Sequence, residues 1–196
     1  MIEPVPVPMR ERLIDAASEL FYAQGLRAVS VDKVIERAGT TKVTFYRHFK
    51  SKDELVVAYL EQRATLERDG IGAAIAASNG DAVTALRTIC EQTGIVACSP
   101  GFRGCPFINA AAENPDPESP VRRTVATHRA WYRTMFTELL APLDLPDVDD
   151  VVDDLMLLRD GAMVAGYLGD PNAVAGSFFR GCLAVIRGGT SAVPGR

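Results

Sequence analysis

Apolar residues recur every three or four positions along most of this chain, which is the period of an amphipathic α-helix. In MRERLIDAASELFYAQG the apolar face holds Leu13, Ala17 and Phe21, and Gly25 stands where a helix would end. No stretch of any length alternates apolar and polar residues in the manner of a strand. The pattern therefore predicts an all-α protein.

Short helices are predicted to follow the first one closely. The segment SVDKVIERAG has a favourable N-cap in Ser30 and a glycine at its end. Thr40 or Thr41 can cap the next helix. The segment SKDE then fits a capping box, in which Ser51 and Glu54 satisfy backbone groups at the start of another helix.

The remainder of the chain keeps the helical pattern, with breaks between its segments. The Gly-, Ala- and Ser-rich stretch over residues 69–81 is predicted to be a linker or a turn between helices. We expect two domains, residues 9–55 and residues 56–190. Further helices are predicted over residues 82–97, from Pro106 in the segment CPFINAAAE, and over residues 120–141, 148–168 and 171–187.

The charge of the chain is unevenly distributed. The net charge is −4 at pH 7, but residues 1–60 carry nine Lys/Arg and eight Asp/Glu, whereas residues 61–196 carry 12 and 17. All four lysines lie within the first 52 residues. This asymmetry favours a polyanionic partner for the N-terminal part alone.

The segment TTKVTFYRHFKSK, residues 40–52, carries four basic residues and no acidic one. With the preceding helix and the connection AGTT, it fits a helix-turn-helix. At about 100° per residue, Phe45 and Phe49 share one face of the second helix, and Val43, Thr44 and Arg47 lie nearly opposite. We expect the aromatic face to pack on the domain. The other face can read bases, since Arg bonds guanine and Val and Thr methyl groups contact thymine methyl groups.

Residues beside this face are expected to position it on the duplex. Tyr46, His48 and Lys52 can bond phosphate oxygens, which fix the helix without reading sequence. The amide groups of the helix that starts after Ser51 offer a second phosphate site. The residues therefore predict double-stranded DNA as a partner.

The stretch from RLIDAASELFYAQG through VSVDKVIERAGTTKVTFYRHFKSKDEL resembles the DNA-binding domain of the TetR family of bacterial transcriptional repressors. The resemblance implies an N-terminal three-helix helix-turn-helix domain and a C-terminal helical ligand-binding and dimerisation domain. The family usually has glycine where this chain has Val43, so the operator preference of relatives does not transfer. The complete predicted DNA-binding set is Ser30, Thr41, Lys42, Val43, Thr44, Tyr46, Arg47, His48 and Lys52.

A single short helix reads only a few base pairs, so we expect a homodimer on a palindromic operator. Glycine and alanine residues in the last two predicted helices, 148–168 and 171–187, allow close helix contact and predict the dimer interface there. Packing within one protomer would explain the same residues. The segment RGCPFINAAAE resembles a stretch in one subset of the family's C-terminal domains. A small apolar effector is expected to bind the second domain and release a repressor from DNA. Its predicted contacts are Phe107, Asn109, Trp131, Met135 and Tyr167.

Other classes of protein compete with this interpretation. Cys98 and Cys105 flank the segment SPGFRG, and Cys105 lies at a helix start that favours the thiolate, so a thiol-based redox sensor is the alternative. An enzyme is disfavoured, because the sequence has no glycine-rich phosphate loop or metal-ligand set and His128 is interpreted as part of a solvated helix face. An architectural DNA protein without a ligand is disfavoured by the large apolar second domain.

The remaining expectations concern cofactors and location. No cofactor and no metal is predicted. No apolar run approaches the roughly 18–20 residues of a membrane helix. The segment MIEPVPVPMRER lacks the apolar core of a secretory signal, so we expect a cytoplasmic protein without a membrane partner.

Overall fold

The structure, a computed structural model, describes residues 7–189 of the chain. Over this range the chain folds into α-helices joined by turns, and the range contains no strand. The all-α fold predicted from the hydrophobic pattern is confirmed. The helices are α1 (Met9–Gln24), α2 (Val31–Ala38), α3 (Lys42–His48), α4 (Lys52–Ala77), α5 (Ala82–Ala97), α6 (Pro106–Glu113), α7 (Pro120–Leu140), α8 (Val148–Leu168) and α9 (Val174–Gly189), with 3₁₀ turns at Ala141–Leu143 and Pro171–Ala173.

The predicted capping residues determine where the short helices begin. The Ser30 hydroxyl accepts a hydrogen bond from the Lys33 amide at 3.2 Å, and the Thr41 hydroxyl accepts one from the Thr44 amide at 3.2 Å. Gly39 ends α2 in the left-handed region, at φ 61°, which costs glycine little. These local signals set the lengths of α2 and of the turn before α3.

The capping box at the start of α4 forms with one difference from the expectation. The Glu54 amide donates to the Ser51 hydroxyl at 3.1 Å. The Glu54 carboxylate accepts from the amide of Lys50 rather than from that of Ser51. Both ends of the box therefore satisfy free backbone groups at the helix start.

The prediction of a linker or turn over residues 69–81 is wrong for most of that stretch. Helix α4 continues through it to Ala77. Glycine in a helix costs about 1 kcal/mol relative to alanine, but Ile71 and Ala74 are 7% and 3% exposed and pack in the apolar core. Tertiary packing outweighs the composition, and the turn is confined to the residues just before the α5 N-cap, Asp81.

The chain separates into two compact units. The first contains the residues up to Thr65 together with Pro106–Ala126, and the second contains Leu66–Cys105 and the residues from Thr127 onward. This division does not coincide with the predicted boundary between residues 55 and 56, because the first unit extends to Thr65 and includes Pro106–Ala126. Residue 190, the predicted end of the second domain, lies outside the described residues.

The first unit contains the helix-turn-helix, and polar contacts hold α2 against α1. The Arg12 guanidinium donates to the carbonyl of Ala38 at 2.7 Å. The Arg37 Nε donates to the Glu19 carboxylate at 2.8 Å. Leu13, fully buried, lies in the apolar interior of this unit. These contacts hold α2 on α1, and with it the turn that leads to α3.

The second unit is built around a large apolar core to which α5, α8 and α9 contribute. Small residues let these helices approach closely. A Cβ atom at Gly166 would lie 2.8 Å from the Ala97 Cβ, and one at Gly181 would lie 2.9 Å from a Leu158 methyl carbon. These two glycines, predicted to serve a dimer interface, therefore pack inside the protomer.

The helices described between residues 7 and 189 include none with the length and apolar character needed to cross a membrane.

Candidate nucleic-acid interface

Helix α3 buries its aromatic residues and exposes the opposite face. Phe45 is fully buried and Phe49 is 2% exposed, and their ring centroids lie 5.9 Å apart. The guanidinium of Arg10 lies 5.2 Å from the centroid of the Phe49 ring. The predicted aromatic anchor is present, and the short helix is held by its packing rather than by its own propensity.

The outer face of α3 presents side chains of three chemical kinds. Val43 is 73% exposed and Tyr46 is 50% exposed, on the side of α3 away from the buried Phe45. Arg47 is exposed beside them. One short surface thus combines a hydrocarbon group, a phenol and a guanidinium, which match the thymine methyl group, a phosphate oxygen and guanine.

The remaining predicted residues of α3 flank this surface. Thr41 and Lys42 are exposed, and Thr44 and His48 are half-buried. The Thr41 and Thr44 hydroxyls lie 3.0 Å apart and share a hydrogen bond. The Lys42 ammonium lies 3.6 Å from the Asp32 carboxylate, an exposed pair of the kind that contributes little to stability and can be exchanged for a phosphate contact.

The other two predicted DNA-binding residues have a second role in the fold. The Ser30 hydroxyl is engaged as the N-cap of α2, although the residue is exposed. Lys52 is half-buried, and its ammonium lies 5.9 Å from the centroid of the Phe21 ring. Burial lowers the pKa of Lys52, against the opposing charges of Glu113 and Asp53.

A carboxylate that sequence reasoning missed holds the turn between α1 and α2. Glu113, at the end of α6, accepts hydrogen bonds from the Leu26 amide at 2.9 Å and the Arg27 amide at 2.7 Å. The Arg27 Nε donates to the Glu113 carbonyl at 3.0 Å. We call this set of contacts the Glu113 clasp.

The conformation of Gly25 makes room for the clasp. Gly25 has φ 90°, and a Cβ atom there would lie 3.1 Å from the Glu113 carboxylate. Both the positive φ angle and the closeness of the Glu113 carboxylate favour glycine at this position. The only sequence signal was the segment RGCPFINAAAE, which resembled a family stretch but did not indicate a partner 87 residues away.

The second unit contains a buried polar centre, which we define as Glu67, His128, Tyr132 and Arg159. The Glu67 carboxylate lies 3.1 Å from the His128 Nε2, 3.1 Å from the Tyr132 hydroxyl and 3.5 Å from the Arg159 guanidinium. Burial favours a raised pKa for Glu67, but the His128 hydrogen bond, the Arg159 charge and the Tyr132 hydroxyl outweigh it and lower that pKa.

The interpretation of His128 as part of a solvated helix face is wrong. His128 is 1% exposed, and its ring stacks beside Trp131 at 5.9 Å between centroids. Its buried ring is accommodated because Glu67, from a distant part of the chain, supplies a hydrogen-bond partner.

The predicted effector contacts are distributed over both units. Phe107 is buried and Asn109 half-buried in the first unit. In the second unit, Met135 is 6% exposed in the apolar core, Trp131 packs at the edge of that core, and Tyr167 is 48% exposed. The structure therefore gives these five side chains different degrees of burial, and Tyr167 is the most accessible of the three in the second unit.

The cysteines are free thiols. Cys98 is exposed, and its sulfur lies 3.8 Å from the Asn172 side-chain oxygen. Cys105 is 2% exposed, and the Arg159 guanidinium donates to its sulfur at 3.3 Å. A buried thiol and an exposed one with separate partners give the redox-sensor alternative no support among the described residues.

The fold and the exposed face of α3 define a helix-turn-helix regulator with a separate helical domain, and comparison with known proteins agrees. The family model for bacterial regulatory proteins of the tetR family matches residues 13–59. A TetR-family transcriptional regulator from Streptomyces coelicolor of known crystal structure is 41% identical, with 93% of this chain and 96% of that chain aligned at a TM-score of 0.87. The chain belongs to the TetR family.

Two curated relatives match the chain over a short stretch. The HTH-type transcriptional regulator SrpR of Pseudomonas putida is 43% identical over 54 residues, which are 28% of this chain and 25% of SrpR. The HTH-type transcriptional activator FasR of Mycolicibacterium smegmatis is 43% identical over 53 residues, 27% of this chain and 24% of FasR. The match thus spans about a quarter of these relatives. Both are transcriptional regulators and not enzymes.

Proposed function

We propose that this protein is a transcriptional repressor that binds a palindromic operator as a homodimer and leaves it when a small apolar effector binds. The observation that carries the DNA-binding part is the surface of α3. Phe45 and Phe49 anchor the helix while Val43, Tyr46 and Arg47 stand exposed on its outer side. α3 itself contains no acidic residue. Such a surface suits insertion into a major groove.

The DNA-binding proposal is tested by selection from random duplexes followed by affinity measurements. The protein should enrich a near-palindrome. Arg47→Ala should weaken binding to that site by about 1–3 kcal/mol and relax the sequence preference, because an arginine that bonds guanine is removed. Arg133→Ala is the matched control, since it removes a half-buried, ion-paired arginine from the second unit. Equal loss on selected and random DNA for Arg47→Ala contradicts the base-reading role.

The dimer proposal is supported by an exposed apolar face on α8. Leu157, Val164 and Leu168 are 70%, 47% and 76% exposed, and Gly161 has open space above it. At about 100° per residue these four positions share one face, which is opposite the buried face of the helix. Exposed apolar residues that are contiguous on a surface mark an interaction site. A symmetric contact between two copies, to which α9 also contributes, buries this face in both.

Oligomeric state tests this interface directly. Ala165→Glu and Leu168→Glu add a charge beside or on the apolar face and should yield monomers with reduced DNA affinity. Ala73→Glu, on an exposed position of α4, should leave the dimer intact. An unchanged dimer in light scattering for both α8 variants rejects the interface.

The effector proposal is supported by the second unit's combination of a large apolar core and one buried polar centre, the composition usual at small-molecule sites. Trp131, the only tryptophan of the chain, lies beside His128 in this unit. A compound that binds there should change the fluorescence of Trp131. Release of DNA requires that the compound prefer the conformation that does not bind DNA.

A panel of apolar aromatic compounds can be tested for two effects, a change in tryptophan fluorescence and a decrease in operator affinity. The proposal expects at least one compound that shifts tryptophan emission and lowers operator affinity over the same concentration range. A Cys98→Ser, Cys105→Ser variant should respond to it as the parent does. If no compound acts and peroxide alone releases the parent from DNA, the effector proposal fails and the thiol alternative replaces it.

Whether the protein represses or activates transcription is tested separately. FasR, which is 43% identical over 53 residues, is a transcriptional activator, so similarity to such relatives does not fix whether this protein represses or activates. A reporter placed behind the selected operator should be less active when the protein is present, because a dimer over a promoter blocks polymerase. Higher reporter activity contradicts repression while leaving DNA binding intact.

A further inference from the structure

Val43 is an apolar side chain left in an exposed position at the start of α3. It is 73% exposed, whereas Phe45, two residues later, is fully buried. Its neighbours Lys42 and Thr44 have partners within the protein, namely the Asp32 carboxylate at 3.6 Å and the Thr41 hydroxyl at 3.0 Å. The side chain of Val43 has no group that can form a hydrogen bond, so its contribution to recognition has to be apolar contact.

The major groove of DNA presents one apolar group, the 5-methyl group of thymine. The other recognition atoms on the base edges there are hydrogen-bond donors or acceptors, apart from the C5–H edge of cytosine, which has no methyl group to contact. A valine isopropyl group placed against a donor or acceptor would remove water from it without replacing the bond. Thymine is therefore the base whose major-groove edge suits Val43.

The register of α3 also limits where this thymine lies. Val43 and Arg47 are four residues apart and share one helix face. Their Cα atoms are separated by about 6 Å along the helix axis, at 1.5 Å per residue. Base pairs are stacked about 3.4 Å apart. The two side chains thus reach positions within about two base pairs of each other.

We propose that Val43 reads the 5-methyl group of a thymine in each operator half-site, within about two base pairs of the guanine bonded by Arg47. The inference rests on the proposed DNA-binding function and names the base that this side chain selects. It assigns to Val43 a role in sequence specificity rather than in general affinity.

The test replaces thymine by deoxyuridine, which pairs identically but lacks the 5-methyl group. The operator is first selected from random duplexes, and each thymine pair related by the symmetry is then replaced in turn. Fluorescence anisotropy gives the dissociation constants for the parent, Val43→Ala and Val96→Ala. Val96 is the control, since it is 47% exposed on α5, in the second unit.

One thymine pair is expected to respond. Its replacement should weaken binding of the parent and of Val96→Ala about fourfold per half-site, the value expected for one buried methyl group. Val43→Ala should bind both duplexes with nearly equal affinity. Because Val43 is exposed, the alanine variant should unfold at the same temperature as the parent, which separates lost recognition from lost structure.

Several outcomes overturn the inference. It is rejected if the half-site contains no thymine near the guanine affected by Arg47→Ala, or if deoxyuridine costs the parent less than twofold at every position. An equal deoxyuridine penalty in the parent and in Val43→Ala also rejects it. In all three cases the parent still binds its operator, so the proposed function stands. If the parent enriches no duplex at all, the proposed function and this inference fail together.

Discussion

The Glu113 clasp makes a quantitative prediction about the DNA-binding unit. Glu113→Gln keeps the length of the side chain but replaces one carboxylate oxygen by an amide nitrogen, which cannot accept a hydrogen bond. At most one of the amides of Leu26 and Arg27 then keeps its acceptor. The side-chain NH2 group that replaces the second oxygen is a hydrogen-bond donor, and it then faces a backbone N–H group that is also a donor.

The expected cost follows from the two contacts, at 2.9 and 2.7 Å. A hydrogen bond to a charged group contributes about 1.5–3 kcal/mol. Glu113 is half-buried, so solvent screens part of this interaction and we expect a loss of about 1–2 kcal/mol. In a chain of this size such a loss corresponds to a decrease in melting temperature of about 4 °C.

Hydrogen exchange at the two amides is the direct assay. In Glu113→Gln, the amides of Leu26 and Arg27 should exchange about tenfold faster, because a tenfold change in opening corresponds to about 1.4 kcal/mol. Glu118→Gln, a control at an exposed glutamate, should leave both rates unchanged. If the two amides exchange at parental rates in Glu113→Gln and the stability is unaltered, the clasp does not hold the turn.

Three further predictions concern stability and charge. Glu67→Gln should lower the unfolding free energy by about 1–3 kcal/mol at pH 7, since it removes the carboxylate that bonds His128 and Tyr132, while Arg159 keeps the Asp160 carboxylate at 3.1 Å. The lowered pKa of Glu67 means that its carboxylate stabilises the fold above the unfolded value of about 4.3. The loss of unfolding free energy in Glu67→Gln should therefore shrink as the pH falls through the folded-state pKa of Glu67. A loss that does not change with pH in denaturant titrations contradicts this. Gly166→Ala should destabilise by about 1–3 kcal/mol through overpacking, whereas Gly72→Ala, at an open helix position, should stabilise by up to about 1 kcal/mol. Lys52→Ala should weaken binding to all duplexes alike and reduce the salt slope by about one, so a sequence-selective loss argues against a phosphate contact.

The helix-turn-helix could be predicted because its signals are local. Ser30 and Thr41 cap helices within three residues of themselves, and Gly39 ends α2 at the expected place. The separation of Phe45 from Val43 follows from the helical period alone. Each signal can be recognised within a short window of sequence.

The errors concern residues whose environment is set by distant parts of the chain. His128 lies in the polar segment RRTVATHRAW, yet its partner Glu67 is 61 residues earlier. The glycines of α4 suggested a linker because the composition does not reveal that Ile71 packs in the core. The Glu113 clasp is beyond sequence reasoning for the same reason.

The glycine-rich faces of the last helices show a different limit. Close helix contact was predicted correctly, but the pattern did not distinguish contact within a protomer from contact between protomers. Gly166 and Gly181 pack on Ala97 and Leu158 of the same chain. The apolar face available to a second copy is instead recognised by the exposure of Leu157 and Leu168, which the sequence does not give.

The central claim is that the α3 surface binds a specific duplex, and the ratio of two affinities measured at one salt concentration tests it most directly. The selected operator and a shuffled duplex of the same length and composition are titrated with the protein, and binding is followed by fluorescence anisotropy. We predict that the operator binds at least about 10³-fold more tightly and saturates at a whole number of dimers per duplex. Equal affinities for the two duplexes would contradict the account, because charge alone would then explain the binding.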